Sequence, residues 1–144
     1  MTWGGGGKPL PRIRVLGWMQ AMTDSTTATP RVLVVEDEYL IRMLLEDMLV
    51  DLGYDIAAAV GTIAEASEFA AKGEFNVAIL DVNLDGQQIF PVADILANRG
   101  LPFIFVSGYG EDSLPGPYRG RPALQKPFQA EQLESALAGL LATT

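Results

Sequence analysis

The sequence predicts an α/β fold: a doubly wound sheet of five parallel strands in the order 2-1-3-4-5, with a short or irregular fourth helix. Two patterns and a length lead there. Short apolar runs recur five times after Arg31, with amphipathic stretches between them. The first and third runs are apolar at every position rather than at alternate ones, as in strands covered on both faces. The 144 residues, 49 % of them hydrophobic, are enough for one core and one domain but too few for two. Strands alternating with helices form a parallel sheet, and right-handed crossovers wind it on both faces.

The elements follow in order. Val32 to Val35 is the first strand. Ile41, Leu44, Leu45, Met48 and Leu52 recur at helical spacing, and Gly53 stands where a helix C-cap would. Tyr54 to Val60 is the second strand. Thr62-Ile63-Ala64-Glu65 is a capping box that opens a second helix, which Gly73 ends. Val77 to Leu80 is the third strand. A helix is expected from about Gln87 to Asn98, with Gly100 after it, and Phe103 to Val106 is the fourth strand. Between Tyr109 and Gly120 lie Gly110, Pro115, Gly116 and Pro117, so only a short helical turn fits and few packed contacts are expected. Ala123 to Gln125 forms the last strand. Glu131 to Leu141 forms the last helix, with Leu133, Leu137, Leu140 and Leu141 on one side.

Residues 1–29 read differently: Gly4 to Gly7 and the small polar run Thr23 to Thr29 bury little surface. They are expected to form a flexible N-terminal extension, with the domain spanning 30–144. No apolar run reaches the roughly 18 residues of a membrane span, and the Ile13 to Met22 stretch is too short and interrupted for a secretory signal. There is no cysteine, so disulfides and thiolate metal sites are excluded, and a reducing, cytoplasmic setting fits. The net charge is −8, and residues 31–144 alone carry −10, which repels nucleic acid. There is no histidine, so any phosphohistidine must come from a partner.

In such a sheet, functional groups gather at the carboxyl ends of the strands. The first strand ends in Glu36-Asp37-Glu38, the third in Asp81, the fourth in Ser107-Gly108 and the fifth in Lys126-Pro127. Carboxylates brought this close repel by several kcal/mol at the effective dielectric of a half-buried site. One lysine cannot neutralise three of them, whereas a divalent cation can. Mg²⁺ suits hard oxygen ligands and keeps waters for a phosphate. Asp37 taken alone is equally readable as the N-cap of the helix after it; all four strand ends together are not explained that way. A strand-end carboxylate can accept a phosphoryl group. Lys126, Ser107 and Mg²⁺ would then each take one of its equatorial oxygens.

Four segments carry a resemblance: Val34-Val35-Glu36-Asp37-Glu38, Ile79-Leu80-Asp81, Val106-Ser107-Gly108 and Leu124-Gln125-Lys126-Pro127-Phe128. In this order they resemble the receiver domains of bacterial two-component systems, which are CheY-like and share the flavodoxin-like fold. The resemblance covers about residues 31–141. It implies that Asp81 is the phosphoacceptor and that Asp37 and Asp81 bind Mg²⁺ directly with the backbone carbonyl of Asn83. Glu36 would act through a water or at a second position, and Ser107 and Lys126 would contact the phosphoryl group. It implies a sensor histidine kinase or a histidine phosphotransfer protein as donor, a downstream protein target, and room for a phosphorylation-dependent homodimer. Such a domain catalyses only its own phosphorylation and dephosphorylation, so it is not an enzyme acting on a separate substrate. Phe103 to Tyr109 is similar to a Phe-x-Phe-Ala-Thr-Gly-Tyr stretch of single-domain receivers, with Val106 and Ser107 departing conservatively. Many receivers carry an aromatic three residues before the lysine. Here that residue is Ala123, and Tyr109 is the nearest aromatic to replace it.

Three other readings compete. A haloacid-dehalogenase-like phosphatase needs a second Asp two residues after the first, where this chain has Asn83. A flavodoxin-like carrier cradles phosphate after the first strand, where Glu36, Asp37 and Glu38 would repel it. A phosphorylation-independent interaction module of the same fold is the strongest rival, and the full set of acids, Ser107 and Lys126 weighs against it. No output domain follows the last helix within this sequence, so action by docking, or as a relay or sink for phosphoryl groups, is expected.

Overall fold

A computed structural model describes residues 29–108 and 114–142. Most of the expected N-terminal extension, and Tyr109, lie outside the described residues. The first strand, β1, is Arg31–Val35, followed by helix α1 over Tyr39–Asp51, strand β2 over Asp55–Val60 and helix α2 over Ile63–Lys72. Strand β3 is Val77–Asp81. Two short strands, β4 (Asn83–Leu84) and β5 (Gln87–Gln88), precede helix α3 over Phe90–Arg99. Strand β6 is Phe103–Ser107, β7 is Ala123–Gln125, and helix α4 is Ala130–Ala142. The main sheet runs β2-β1-β3-β6-β7 with every pairing parallel, the 2-1-3-4-5 order expected for its five strands.

Alternation along the strands builds two cores, one on each face. Leu33, Val35, Ala78, Leu80, Phe103 and Phe105 pack beneath α2 and α3. Val32, Val34, Val77, Ile79, Ile104 and Val106 pack beneath α1 and α4, against Leu45, Leu49, Leu133 and Leu137. Strands apolar at every position are the only ones that can serve both sets. The capping box opens α2 as expected: the Glu65 amide donates to Thr62 Oγ1 at 3.1 Å. No described helix is long and apolar enough to cross a membrane.

One expectation is overturned. The helix expected from about Gln87 starts at Phe90, because Gln87 and Gln88 pair antiparallel with Leu84 and Asn83. Asp85 and Gly86 turn the chain with φ of 50° and 85°. Two successive residues of positive φ form the tight hairpin turn that an Asp-Gly pair favours.

A second difference lies before β7. Among the described residues there, a 3₁₀ turn forms over Gly116–Tyr118, in keeping with the Gly and Pro content. Yet residues 114–120, the described part of this segment, do pack on the core: Leu114 and Tyr118 are buried. The Tyr118 ring lies 5.6 Å from Phe90, 5.4 Å from Phe105 and 6.1 Å from Phe103, centroid to centroid. Its hydroxyl donates to Asp94 on α3. Ala123, opposite Phe105 in the sheet, packs against the same cluster, so a small residue there leaves room for this ring. Tyr118→Ala should destabilise the domain by about 3–5 kcal/mol through the lost aromatic packing. Tyr118→Phe should cost about 1 kcal/mol, since it removes only the hydrogen bond to exposed Asp94. Urea unfolding of both variants checks the ratio.

Candidate functional site

The carboxyl ends of β1, β3, β6 and β7 meet at one rim. Glu36 directly follows β1 and is 1 % exposed, while Asp81 closes β3 and is 7 % exposed. Asp37 is half-buried in the loop before α1. Glu36, Asp37 and Asp81 each place a carboxylate oxygen within 4.8 Å of the others. Charges at that spacing repel by about 3 kcal/mol per pair at an effective dielectric near 20. Register brings the remaining groups in. Asp81 pairs with Val106, Ser107 pairs with Gln125, and the Lys126 amide donates to the Ser107 carbonyl at 2.8 Å. The Lys126 ammonium lies 3.0 Å from Glu36 Oε1 and 3.5 Å from Asp81 Oδ2.

The acids are held by different means. Glu36 Oε2 accepts from the Glu38 amide at 3.0 Å. The Glu36 carbonyl accepts from the Arg42 guanidinium at 2.7 Å, on the side where Gly61 leaves space. Asp81 accepts from the Asn83 amide. Asp37 Oδ2 accepts from the Asp85 amide at 3.0 Å. The N-cap reading of Asp37 does not hold: the cap of α1 is Glu38, whose side chain makes no capping bond. Asp37, Asp81, Asn83, Asp85 and Lys126 all line one open cleft. Ser107 is buried at the end of β6, one residue beyond the partner of Asp81.

The electrostatics follow from this packing. Burial, and next the Glu36 charge, push the Asp81 carboxyl up to about 7, while Lys126 opposes the rise. Burial pulls the Lys126 ammonium down, but Glu36 and Asp81 outweigh it, so its pKa stands above the ordinary lysine value. Without a cation, then, the site relieves its excess negative charge by keeping a proton near Asp81. A hard divalent cation among the three carboxylates would relieve it in another way, and an all-oxygen donor set suits Mg²⁺.

Every residue expected from sequence reaches this rim, with Asn83 at its edge in β4. Sequence reading missed Asp85, Gly86 and Arg42. The Asp-Gly pair was a legible hairpin signal. Arg42 gave none, because its contact is to a backbone carbonyl across the β1–α1 loop.

Comparison with known proteins gives a consistent family. The pattern described as "Response regulator receiver domain" matches residues 32–138. The transcriptional regulatory protein PdtaR of Mycobacterium tuberculosis is 34 % identical over 120 residues, covering 80 % of this chain and 58 % of PdtaR, so the chain spans little more than half of that relative. The solution structure of SdrG from Sphingomonas melonis Fr1 is 45 % identical with a TM-score of 0.71, covering 80 % of this chain and 98 % of SdrG. The BeF3-activated conformation of SdrG, from Pseudomonas melonis Fr1, matches at 45 % identity with a TM-score of 0.68, over 80 % of this chain and 98 % of that one.

The raised Asp81 predicts a pH dependence. Its folded pKa of about 7 exceeds the ordinary 3.8, so the native state binds the proton more tightly than the unfolded chain. The contribution of Asp81 to metal-free stability should therefore be fully present below about pH 4 and be lost as pH rises through about 7. Asp81→Asn removes the penalty. In EDTA at pH 8 it should be more stable than the parent by on the order of 2 kcal/mol, discounted from the full shift because the cleft is open to water. The difference should vanish near pH 4. Urea unfolding across pH checks this, and parallel curves for the two proteins would contradict it.

Proposed function

We propose, starting from the fact that this chain belongs to the response regulator receiver domain family, that it accepts a phosphoryl group on Asp81 in a Mg²⁺-dependent reaction. The observation that carries this reading is the rim itself: Asp81 stands in reach of two further carboxylates and one ammonium at the ends of a parallel sheet.

Each group has a task. Asp81, once deprotonated, is the nucleophile. One of its oxygens attacks the phosphorus of a phosphohistidine, the new P–O bond forms, the P–N bond breaks, and the imidazole leaves and takes a proton from solvent. The donor histidine belongs to a sensor kinase or phosphotransfer protein, since this chain has none. Asp37, Asp81 and the Asn83 carbonyl would hold Mg²⁺, with Glu36 behind them through a water. When bound, Mg²⁺ supplies positive charge against the carboxylates and the phosphoryl oxygens. Lys126 already sits between Glu36 and Asp81, so its ammonium needs little movement to reach a phosphoryl oxygen on Asp81. The Ser107 hydroxyl hydrogen-bonds another, drawing on the end of β6. A partner protein then reads the altered β6–β7–α4 face. The existence of a BeF3-activated form of SdrG supports the reading, because SdrG shares 45 % identity with this chain.

The test is transfer from a phosphorylated histidine kinase. The parent should take up label, Asp81→Asn none, and Asp37→Ala less than a tenth as much at millimolar Mg²⁺. Undiminished labelling of Asp81→Asn would move the acceptor elsewhere, and absence of labelling in the parent would favour a phosphorylation-independent docking module.

A further inference from the structure

We infer that the Asp85–Gly86 turn is a positioning device: the Asp85 backbone N–H holds the Asp37 carboxylate where it can bind Mg²⁺. The inference rests on the reading of the rim as a Mg²⁺-dependent phosphoryl acceptor.

Of the three acids, Asp37 has the least support of its own. Glu36 is clasped by Lys126 and the Glu38 amide, and Asp81 by Lys126 and the Asn83 amide. Asp37 belongs to no strand and caps no helix. Among the described residues its carboxylate accepts one hydrogen bond, from the Asp85 amide at 3.0 Å. That amide is delivered by a braced turn. Leu84, 2 % exposed, and buried Ile89 anchor the hairpin in the core. The Ile89 amide closes its base on the Val82 carbonyl at 2.9 Å, and the Gly86 amide donates to Asn83 Oδ1 at 3.1 Å. Asp85 is the one non-glycine residue with positive φ among those described, a conformation that disfavours most side chains but that Asp and Asn tolerate. The hairpin also begins two residues after Asp81. The braced turn thus links Asp81, at the end of β3, to an acid in the loop after the neighbouring strand β1. A carboxylate held beforehand loses less freedom when it takes a cation, which is why groups behind metal ligands commonly affect affinity by 10–100-fold.

The experiment is calorimetric Mg²⁺ titration of the parent and of Asp85→Asn, Asp85→Gly and Asp85→Val, with urea unfolding in EDTA alongside. Asn and Gly tolerate positive φ and keep the N–H, so both variants should bind within about threefold of the parent. A β-branched residue resists that conformation and swings the N–H away, so Asp85→Val should bind about tenfold more weakly. A merely structural role would lower stability in EDTA without this split in affinity. Equal binding by Asp85→Val and the parent would overturn the inference. So would equal losses in all three variants, which would assign the effect to the side-chain charge. Should Asp85→Val fail to fold, amide exchange decides: Asp37→Ala should speed exchange at Asp85 at least tenfold while Ile89, whose amide is bonded to the Val82 carbonyl, stays protected, and unchanged exchange at Asp85 would overturn the inference. A parent indifferent to millimolar Mg²⁺ would remove the underlying reading of the rim and this inference with it.

Discussion

Three carboxylates face one ammonium at the end of a buried sheet, and the rest of the molecule answers to that imbalance. Glu36 is almost fully enclosed, and Lys126 is its ion-pair partner, 3.0 Å away. Because Lys126 also reaches Asp81, one cation is shared between two anions. Neither is fully neutralised, and Asp81 carries the surplus as a raised affinity for a proton. A cation bound among these acids would displace that proton and leave Asp81 ionised, the state that the proposed phosphoryl transfer requires. Ground-state repulsion and readiness to bind a metal are two aspects of one arrangement.

The sheet makes the arrangement unavoidable. Its strands are apolar on both faces up to their last residues, and polar groups begin where packing stops. Parallel register then sets Glu36, Asp81, Ser107 and Lys126 side by side without help from long loops. Loops supply the finer adjustment. The hairpin after β3 reaches back to Asp37, and Arg42 pins the carbonyl of Glu36. On the opposite side of β6 from α1 and α4, Tyr118 fills the space next to Ala123 and ties the segment before β7 to α3 through Asp94. Phe105, two residues before Ser107 on β6, packs against this aromatic cluster.

Much of this was legible in the residues. Strand order, helix caps and the four strand ends follow from apolar runs and their punctuation, because burial on both faces leaves few other placements for Val32 to Val35 or Val77 to Leu80. What escaped was governed by local backbone conformation or by tertiary contact. The Gln87 helix start failed because Asp85 and Gly86 favour positive φ over continued helix, a preference that apolar periodicity does not register. Tyr118 lies in a segment of Gly and Pro with no periodicity at all, and only the folded cluster around Phe90, Phe103 and Phe105 shows that it belongs to the core. The role of Tyr109 proposed from resemblance falls outside the described residues.

The proposed role of this rim is to carry a phosphoryl group on Asp81. Its most direct measurement needs no kinase: incubate the domain with acetyl phosphate and Mg²⁺, reduce the product with borohydride, and map the peptides by mass. Borohydride converts an aspartyl phosphate to homoserine. Conversion is expected at residue 81 alone, with none when EDTA replaces Mg²⁺. Conversion at another carboxylate, or an unmodified Asp81 under conditions that modify a control receiver domain, would contradict it.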